Sequence, residues 1–347
     1  VAKLYQYRAK ANNMKSYLQA LLQGKTLSVE EAEGMFDLLL TGQSSAAETA
    51  AALAAMAARG ETQHEIEGAV RSLREKSVRI SAPDNVVDCC GTGGDHAHTV
   101  NISTAVAFVL AACGVPVAKH GNRASSSKSG AADVLEALGL NLEADQKTVQ
   151  NSMNDLNICF LMAPLYNPAI AHVMPVRREI KARTIFNLLG PLLNPAGAKR
   201  QLIGVYDAAR ARPMAEVLDH LGTEKAWVVW GHDGLDEIST VAKTGVVALE
   251  HGKILTFEID PADYGLKCDD ASQLTGDDAV YNAKALMGVL NGEPSAYRDI
   301  VCLNAAAALI VADHAEDLEQ GIKMAQDVLD QGKALNKLNA LVEAYHG

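Results

Sequence analysis

The segment Cys89–Thr104, CCGTGGDHAHTVNIST, places three glycines, an aspartate and a run of hydroxyl and amide side chains directly after an apolar stretch. Glycine adopts backbone angles that other residues avoid, and it lets a ligand approach the main chain closely. Backbone N–H groups in such a turn, with the positive end of a following helix, bind phosphate or diphosphate. The segment therefore predicts an anion site, with a tight strand-to-helix turn as the alternative interpretation.

A second polar segment, HGNRASSSKSG, begins at His120. With its neighbour it places three permanent cations, Lys119, Arg123 and Lys128, beside several serines and an asparagine. Cations neutralise phosphate while hydroxyl and amide groups bond to oxygens, so this set suits a sugar phosphate, and a solvated basic loop is the alternative. Neither segment ends in the G-K-[ST] of a Walker A element, and GTGGD lacks the third glycine of the dinucleotide fingerprint. Adenine nucleotides and nicotinamide are therefore disfavoured.

The third feature is a pair of adjacent carboxylates, Asp236 and Glu237, in GHDGLDEIST. Such a pair often only solvates a loop. A diphosphate ester, however, is accompanied by Mg²⁺, which proteins hold with one or two carboxylates, phosphate oxygens and water. The pair is then a candidate metal site. Four histidines are not at metal-ligand spacing, and no nucleophile elbow supports covalent catalysis; these histidines are His96, His98, His172 and His232.

Strand, loop and helix alternate after Pro83, which is typical of a parallel sheet with crossover helices. The predicted helices cover Ala105–Ala112 and Ala131–Leu138. In open parallel sheets ligands bind beyond the carboxyl ends of the strands, where both glycine-rich segments lie. The predicted strands are NVVDCC, VPVAKH, ICFLMA, QLIGVYD and KAWVVWGH.

The region from about Asn13 to Ser81 is predicted to be helical, and the interval Pro168–Leu189 interrupts the strand pattern with further helical character. We predict an α/β fold: a small discontinuous all-helical domain joined to a larger α/β domain with a mostly parallel central sheet and surrounding helices. The predicted domains are residues 1–82 with an insertion at about 166–192, and residues 83–165 with 193–347. Three capping-box patterns begin helices of the first region: Ser28 with Glu31, Ser45 with Glu48, and Thr62 with Glu65.

The composition is that of a globular protein, with 48% hydrophobic and 21% charged residues. No apolar run approaches the roughly 20 residues of a membrane span, and the first residues lack a signal-peptide core, so we expect a soluble protein. Six cysteines without C-x-x-C spacing favour a reducing cytoplasm. The net charge of −11 disfavours nucleic acid as a partner.

Five motifs, in this order and spacing, resemble those of the anthranilate phosphoribosyltransferases of tryptophan biosynthesis: GTGGD, NIST, KHGNRASSSKSGAADVLEALG, VRREIKARTIFNLLGPLLNP and GLDEIS. The similarity covers the chain from about Met14 to its end. It implies transfer of the phosphoribosyl group of 5-phosphoribosyl 1-diphosphate (PRPP) to the amine of anthranilate. The products are N-(5-phosphoribosyl)anthranilate and diphosphate, and two Mg²⁺ ions are implied.

The resemblance also implies the site residues. Lys119, Arg123, Asp236 and Glu237 would be catalytic, and Ser103, Asp236 and Glu237 would reach the metal. Gly91, Asn122 and Arg177 would meet anthranilate. Ala131 stands where the family commonly has serine, so this chain lacks the hydroxyl that the resemblance would place on the substrate phosphate. The residues implied for PRPP are Gly91, Gly94, Asp95, Thr99, Asn101, Ile102, Ser103, Thr104, Lys119, His120, Gly121, Asn122, Arg123, Ala124, Ser125, Ser126, Ser127 and Ala131.

Partners and rival functions follow from the same resemblance. The family usually forms homodimers through its helical domain, and relatives can be fused to a glutamine amidotransferase module, which could also bind in trans. One alternative is a pyrimidine nucleoside phosphorylase, but its K-M-S-G-R stretch is replaced here by KHGNR. The other is a non-enzymatic nucleic-acid-binding relative, which the intact GTGGD and LDE motifs and the acidic charge disfavour.

Overall fold

The computed structural model describes residues 13–95, 97–124 and 128–346 of the chain. The chain divides into two compact units. Of the described residues, those up to Ser77 and Asn167–Leu193 form the helical unit, and those of Val78–Tyr166 and from Asn194 onward form the α/β unit. Each unit is thus built from two separate stretches of the chain. No helix in the described part of the chain is both long and apolar enough to span a bilayer.

Three helices of the helical unit begin at the predicted capping boxes. In each, a serine or threonine side chain accepts the N–H three residues on, and the glutamate there accepts the N–H of the first residue. These reciprocal bonds satisfy donors that a helix start leaves open, and the prediction is confirmed. Two 3₁₀ turns, Pro168–His172 and Gly190–Leu193, complete the unit. Its helices are α1 (Met14–Leu22), α2 (Val29–Leu40), α3 (Ala46–Arg59), α4 (Gln63–Lys76), α9 (Met174–Ile180) and α10 (Phe186–Leu189).

The α/β unit is organised around one seven-stranded sheet with the order β3-β2-β1-β4-β5-β6-β7. The first five strands pair in parallel, while β5 with β6 and β6 with β7 pair antiparallel. The predicted mostly parallel sheet is confirmed. The strands are β1 (Val87–Gly91), β2 (Val117–Gly121), β3 (Ile158–Met162), β4 (Arg200–Gly204), β5 (Lys225–Gly231), β6 (Thr244–Glu250) and β7 (Lys253–Ile259).

Helices surround this sheet, and the buried core forms where helices and strands pack together. The helix after β1 begins at Ile102, three residues before the predicted start, so Ser103 and Thr104 belong to its first turn. The helices are α5 (Ile102–Ala112), α6 (Ala131–Ala137), α7 (Gln146–Leu156), α8 (Ala163–Tyr166), α11 (Ala208–His220), α12 (Ala279–Leu290), α13 (Ala296–Val311), α14 (Leu318–Asp330) and α15 (Lys333–His346); 3₁₀ turns cover Pro261–Tyr264 and Ala271–Leu274.

The antiparallel hairpin of β6 and β7 was not among the predicted strands. No crossover helix separates β5 from β6, so β6 returns antiparallel, and a two-residue turn with positive φ at His251 and Gly252 joins it to β7. Strand β7 is an edge strand whose residues are mostly exposed. Its sequence therefore does not need the continuous apolar run by which β1 to β5 were predicted.

Candidate active site

The site begins where β1 and β4 end side by side, because the segment that carries Asp236 packs against the last residue of each strand. A Cβ added to Gly91 would lie 2.2 Å from Asp236 Oδ2, and one added to Gly204 would lie 1.6 Å from the Asp236 carbonyl oxygen. Only glycine leaves room for this approach. Strand β1 has β2 on one side and β4 on the other, so this edge is the crevice at which doubly wound sheets bind ligands.

The two adjacent carboxylates face different parts of the glycine-rich segment. Gly93 N donates to Asp236 Oδ2 at 2.7 Å, and Ser103 N, in the first turn of α5, donates to Glu237 Oε1 at 3.2 Å. One dipeptide therefore holds both ends of the segment that follows β1. Asn304 fixes the next residue, since its side chain accepts from Ile238 N and donates to Ile238 O.

The protonation of this pair is unusual. Burial, together with the charge of Asp95, raises the pKa of Asp236 well above its ordinary range. Burial and the neighbouring Asp236 raise the pKa of Glu237 to about 8. Desolvation penalises an ionised carboxylate, so the pair gains most from a nearby cation.

The carboxylates therefore fit a divalent cation. No cluster of three or more His, Cys, Asp or Glu side chains suited to a metal occurs among the described residues. Mg²⁺ does not need one, because it usually keeps several waters and takes one or two carboxylates plus substrate phosphate. Asp236 is buried, Glu237 is half-buried, and the pKa of each carboxyl is raised, so the two side chains supply that donor set.

The sheet opens between β1 and β2, and polar side chains occupy the gap. These strands pair only at Val87 and Val117, whereas β1 with β4 and β2 with β3 stay paired through five positions. Beyond the single pair, Asp88 Oδ1 accepts from His120 N at 3.2 Å in place of a ladder bond. Asp88 is fully buried, and sequence inspection missed it because a lone aspartate in an apolar strand carries no motif.

Lys119 crosses the same gap. Its Nζ donates to Cys89 O at 2.7 Å and lies 3.4 Å from Ser103 Oγ. The side chain is nearly inaccessible to solvent. Burial lowers the pKa of Lys119, but Cys89, Asp88 and Glu237 outweigh it and the pKa is raised. A permanent cation thus lies between Cys89 and Ser103, which flank the glycine-rich segment, and it acts electrostatically on Glu237.

The second polar segment follows β2, where Gly121 has no room for a side chain against Phe160. Arg123 forms a fork to Glu136, with bonds of 2.7 and 2.8 Å, and a further bond to Asp133. Lys128 pairs with Asp277 at 2.6 Å on the surface. An open cavity of about 540 Å³ is lined by Arg123, Ala124, Lys128, Asp133, Glu136, Ala137 and Ala279.

Asn101 connects the two polar segments. Its Nδ2 lies 3.4 Å from Ser129 O, its Oδ1 accepts from Asn282 Nδ2 at 2.9 Å, and its carbonyl accepts from Tyr297 Oη at 2.8 Å. Asn282 is buried. Sequence reasoning missed Asn282 and Tyr297 because they lie about 180 and 195 residues away on α12 and α13.

The remaining predicted residues are placed as follows. Gly94 and Asp95 lie in the segment after β1, Thr99 pairs with Thr275 in an isolated bridge, and Thr104 is buried in α5. Asn122 is exposed, and Ala131 is the first residue of α6. The described predicted residues of the α/β unit therefore lie at the ends of β1 and β2, in the segments and first helical turns that follow them, and in the segment after β5 that packs against the ends of β1 and β4. His96 and Ser125, Ser126 and Ser127 lie outside the described residues.

Arg177 belongs to the helical unit, on α9. Its guanidinium lies 5.1 Å over the Phe186 ring, and Nη1 is 3.6 Å from Met174 Sδ. Within the described residues it forms no ion pair with a carboxylate. Burial lowers its pKa. An incompletely solvated guanidinium with apolar neighbours is suited to accept an external carboxylate.

Comparison with known proteins supports a glycosyltransferase. The model described as "Glycosyl transferase family, helical bundle domain" matches residues 15–77, and that described as "Glycosyl transferase family, a/b domain" matches residues 83–335. The chain is 51% identical over 331 residues to an anthranilate phosphoribosyltransferase of Rhodopseudomonas palustris (strain BisB18), covering 95% of this chain and 98% of the relative. A Brucella suis relative of the same name is 49% identical over 330 residues, covering 95% and 97%.

Solved structures of anthranilate phosphoribosyltransferases resemble this chain along almost its whole length. The crystal structure of anthranilate phosphoribosyltransferase from Thermus thermophilus superposes with a TM-score of 0.90 at 38% identity, covering 95% of this chain and 99% of that chain. The Saccharomyces cerevisiae enzyme in complex with PRPP and Mg has a TM-score of 0.88 at 28% identity, covering 97% and 99%.

The two matched domains and the carboxylate pair at the sheet edge define a two-domain glycosyltransferase. The fold class predicted from the sequence is confirmed. The chain belongs to the anthranilate phosphoribosyltransferase family, as its motifs indicated.

Proposed function

We propose that this protein transfers the phosphoribosyl group of PRPP to the amine of anthranilate, releasing diphosphate, and that it requires Mg²⁺. The observation that carries the proposal is the assembly at the ends of β1 and β4. There Asp236 and Glu237 bind the backbone of the glycine-rich segment while Lys119 lies beside them. Membership of the family supports anthranilate as the acceptor.

The reaction moves one bond. The bond between the ribose anomeric carbon and diphosphate breaks, its electron pair leaves with diphosphate, and the amine lone pair forms the new C–N bond. The nitrogen then releases a proton to solvent. An aromatic amine keeps its lone pair at neutral pH, so catalysis consists mainly of positioning and charge stabilisation rather than strong-base chemistry.

The residues of this chain divide that work. Lys119, between the two ends of the glycine-rich segment, is proposed to stabilise the negative charge of the departing diphosphate. Arg123, in the second polar segment, is proposed to contribute to the same stabilisation. Backbone N–H groups after β1 are proposed to hold the diphosphate. Arg123 must exchange its fork to Glu136 for phosphate oxygens to do so, and both partners are exposed, which makes that exchange inexpensive.

Asp236 and Glu237, with Ser103, are proposed to hold Mg²⁺ together with the substrate oxygens, and we propose two ions. When bound, the metal neutralises charge that develops on the diphosphate leaving group. The neighbouring yeast structure in complex with PRPP and Mg supports the choice of metal.

The raised carboxyl pKa predicts a pH-dependent response to Mg²⁺. A carboxyl whose pKa is higher in the folded than in the unfolded protein stabilises the fold at pH values below its unfolded pKa. This stabilisation is lost as the pH rises through the pKa of the folded state, which is about 8 for Glu237. Mg²⁺ binds the ionised form of the carboxylate pair. The increase in the Tm of the protein that Mg²⁺ causes should therefore be larger at about pH 8.5 than at about pH 6. Thermal unfolding at both pH values, with and without Mg²⁺, measures this. An equal increase at both would contradict the metal assignment.

Arg177 is proposed to bind the anthranilate carboxylate. We expect Arg177→Ala to raise the anthranilate KM by roughly 10- to 100-fold, because a charge-assisted fork is lost, with a smaller change in the PRPP KM. Arg178→Ala is the matched control, since Arg178 is the exposed neighbour on α9. Steady-state kinetics with each substrate varied in turn measures both values. An unchanged anthranilate KM would assign the acceptor to another site.

Anthranilate fluorescence tests the function itself. Purified protein with PRPP and Mg²⁺ should consume anthranilate, and omission of any one component should stop the loss of signal. A steady signal from folded protein in the complete mixture would refute the acceptor. Phosphorolysis of thymidine or uridine would then test the nucleoside phosphorylase, which the comparisons do not favour.

A homodimer, an amidotransferase partner and a cytoplasmic location stay predictions. Light scattering across a concentration series measures the oligomeric state.

A further inference from the structure

One carboxylate that the proposed chemistry does not use connects the two described ends of the second polar segment. Asp133 lies in the first turn of α6. Its Oδ2 accepts from Ala124 N at 2.8 Å and from Gly130 N at 2.9 Å, while its Oδ1 accepts from Arg123 Nη1 at 3.0 Å. The two backbone donors are six residues apart, so the side chain ties the two ends of the segment together.

The backbone is also closed at this point. A Cβ added to Gly130 would lie 2.5 Å from Ala124 N and 2.7 Å from Asn122 O, so the two ends of the segment touch and form a neck. Ala132 N donates to Asn122 O at 3.1 Å across the same neck. Gly130 therefore packs directly against the backbone of Asn122 and Ala124.

Asp133 is charged when it does this. Burial raises its pKa, but the N–H groups of Ala124 and Gly130 and the side chain of Arg123 outweigh that effect and hold the pKa below its usual range. An ionised carboxylate accepts backbone N–H bonds more strongly than a neutral group. The neck therefore combines a charged acceptor with two main-chain donors.

We propose that Asp133 is a positioning residue for PRPP binding: by joining Ala124 to Gly130 it holds Asn122, Arg123 and Ala124 in the arrangement that receives the substrate. The inference rests on the proposed function. It concerns the shape of the segment, and Asp133 itself touches no substrate.

Two simpler roles make different predictions. Asp133 could matter only because it pairs with Arg123, but Glu136 binds Arg123 through two bonds and does not touch the neck. It could also matter only as a helix cap. Asp145 is a matched cap in the same unit, since its Oδ1 accepts from Thr148 N at 2.7 Å at the start of α7.

The experiment compares Asp133→Ala, Asp133→Asn, Glu136→Gln and Asp145→Ala by PRPP KM, kcat and Tm. We expect Asp133→Ala to raise the PRPP KM at least about tenfold, because charged bonds to two backbone donors are lost. Asp133→Asn retains an amide oxygen as acceptor and should recover most of that loss. Glu136→Gln and Asp145→Ala should leave the PRPP KM within about twofold, although Asp145→Ala lowers Tm as a lost cap does.

The kinetic results distinguish a failure of the proposed function from a failure of the proposed role of Asp133. A wild-type protein that does not turn over PRPP with anthranilate contradicts the proposed function, and the inference with it. An active wild type whose PRPP KM is unchanged in Asp133→Ala overturns the inference alone, as does an equal rise in Glu136→Gln or Asp145→Ala. Should Asp133→Ala not fold, Asp133→Glu decides: its displaced carboxylate should still raise the PRPP KM, and a normal KM overturns the proposal.

Discussion

Replacing Asp236 with asparagine and Glu237 with glutamine is expected to lower kcat/KM by at least about 100-fold without unfolding the protein. The amide oxygens can still accept from Gly93 N and Ser103 N, so the glycine-rich segment keeps its anchors. The charges that would hold Mg²⁺ are removed. The double variant should also be as stable as the wild type at about pH 8 without metal, or more stable, because two desolvated carboxyls no longer have to ionise.

Turnover and thermal unfolding, measured on the same preparation, test both halves of this prediction. Asp269→Asn is the control, since that carboxylate is exposed and pairs only with Lys267 among the bonds of the described residues. Near-normal turnover of the double variant at limiting Mg²⁺ would remove the metal role. A large loss of Tm would mean that the pair is needed mainly for folding.

Gly204→Ala is expected to have the largest effect of any single methyl group in the α/β unit. The new Cβ would lie 1.6 Å from the Asp236 carbonyl oxygen and 2.4 Å from its carbonyl carbon, so main chain must move rather than a flexible side chain. We expect a loss of about 3 kcal/mol or more in the free energy of unfolding, equivalent to a Tm roughly 10 °C lower. Activity should fall further, because Asp236 is displaced from Gly93.

Gly288→Ala is the matched control for this substitution. Gly288 lies inside α12, and a Cβ there would lie 2.9 Å from Glu293 Oε2, the end of an exposed, flexible side chain that can move aside. Inside a helix, alanine is favoured over glycine. Circular dichroism melts of both variants measure the difference, and equal Tm values would contradict the close approach of the Asp236 segment to β4.

The fold could be predicted from the sequence where local signals and tertiary structure agree. The capping boxes at Ser28, Ser45 and Thr62 and the apolar strands β1 to β5 carry their own signals, and each formed. Strand β7 was missed because it is an exposed edge strand with no continuous apolar run, whereas the buried β6 carries the apolar run VVAL and was overlooked. The start of α5 was placed too late because Asn101 begins the helix without a side-chain cap.

The site was predictable to the same extent. Glycine clusters, adjacent cations and adjacent carboxylates are local in sequence, and they indicated an anion and metal site before any family was considered. The supporting residues carry no such signal, because Asp88, Asn282 and Asn304 act through single bonds to distant backbone or side chains. Asp133 was visible only as one residue of a longer motif. Its role depends on the distance between Ala124 and Gly130, which only the folded chain supplies.

The most direct test of this account is calorimetric titration of PRPP into the wild-type protein and into the Asp236→Asn, Glu237→Gln double variant, each with and without Mg²⁺. We expect the wild type to bind PRPP tightly only when Mg²⁺ is present, and the double variant to bind weakly and with no dependence on the metal. Equal, Mg²⁺-dependent affinity in both proteins would contradict the assignment of the carboxylate pair and move the metal site elsewhere.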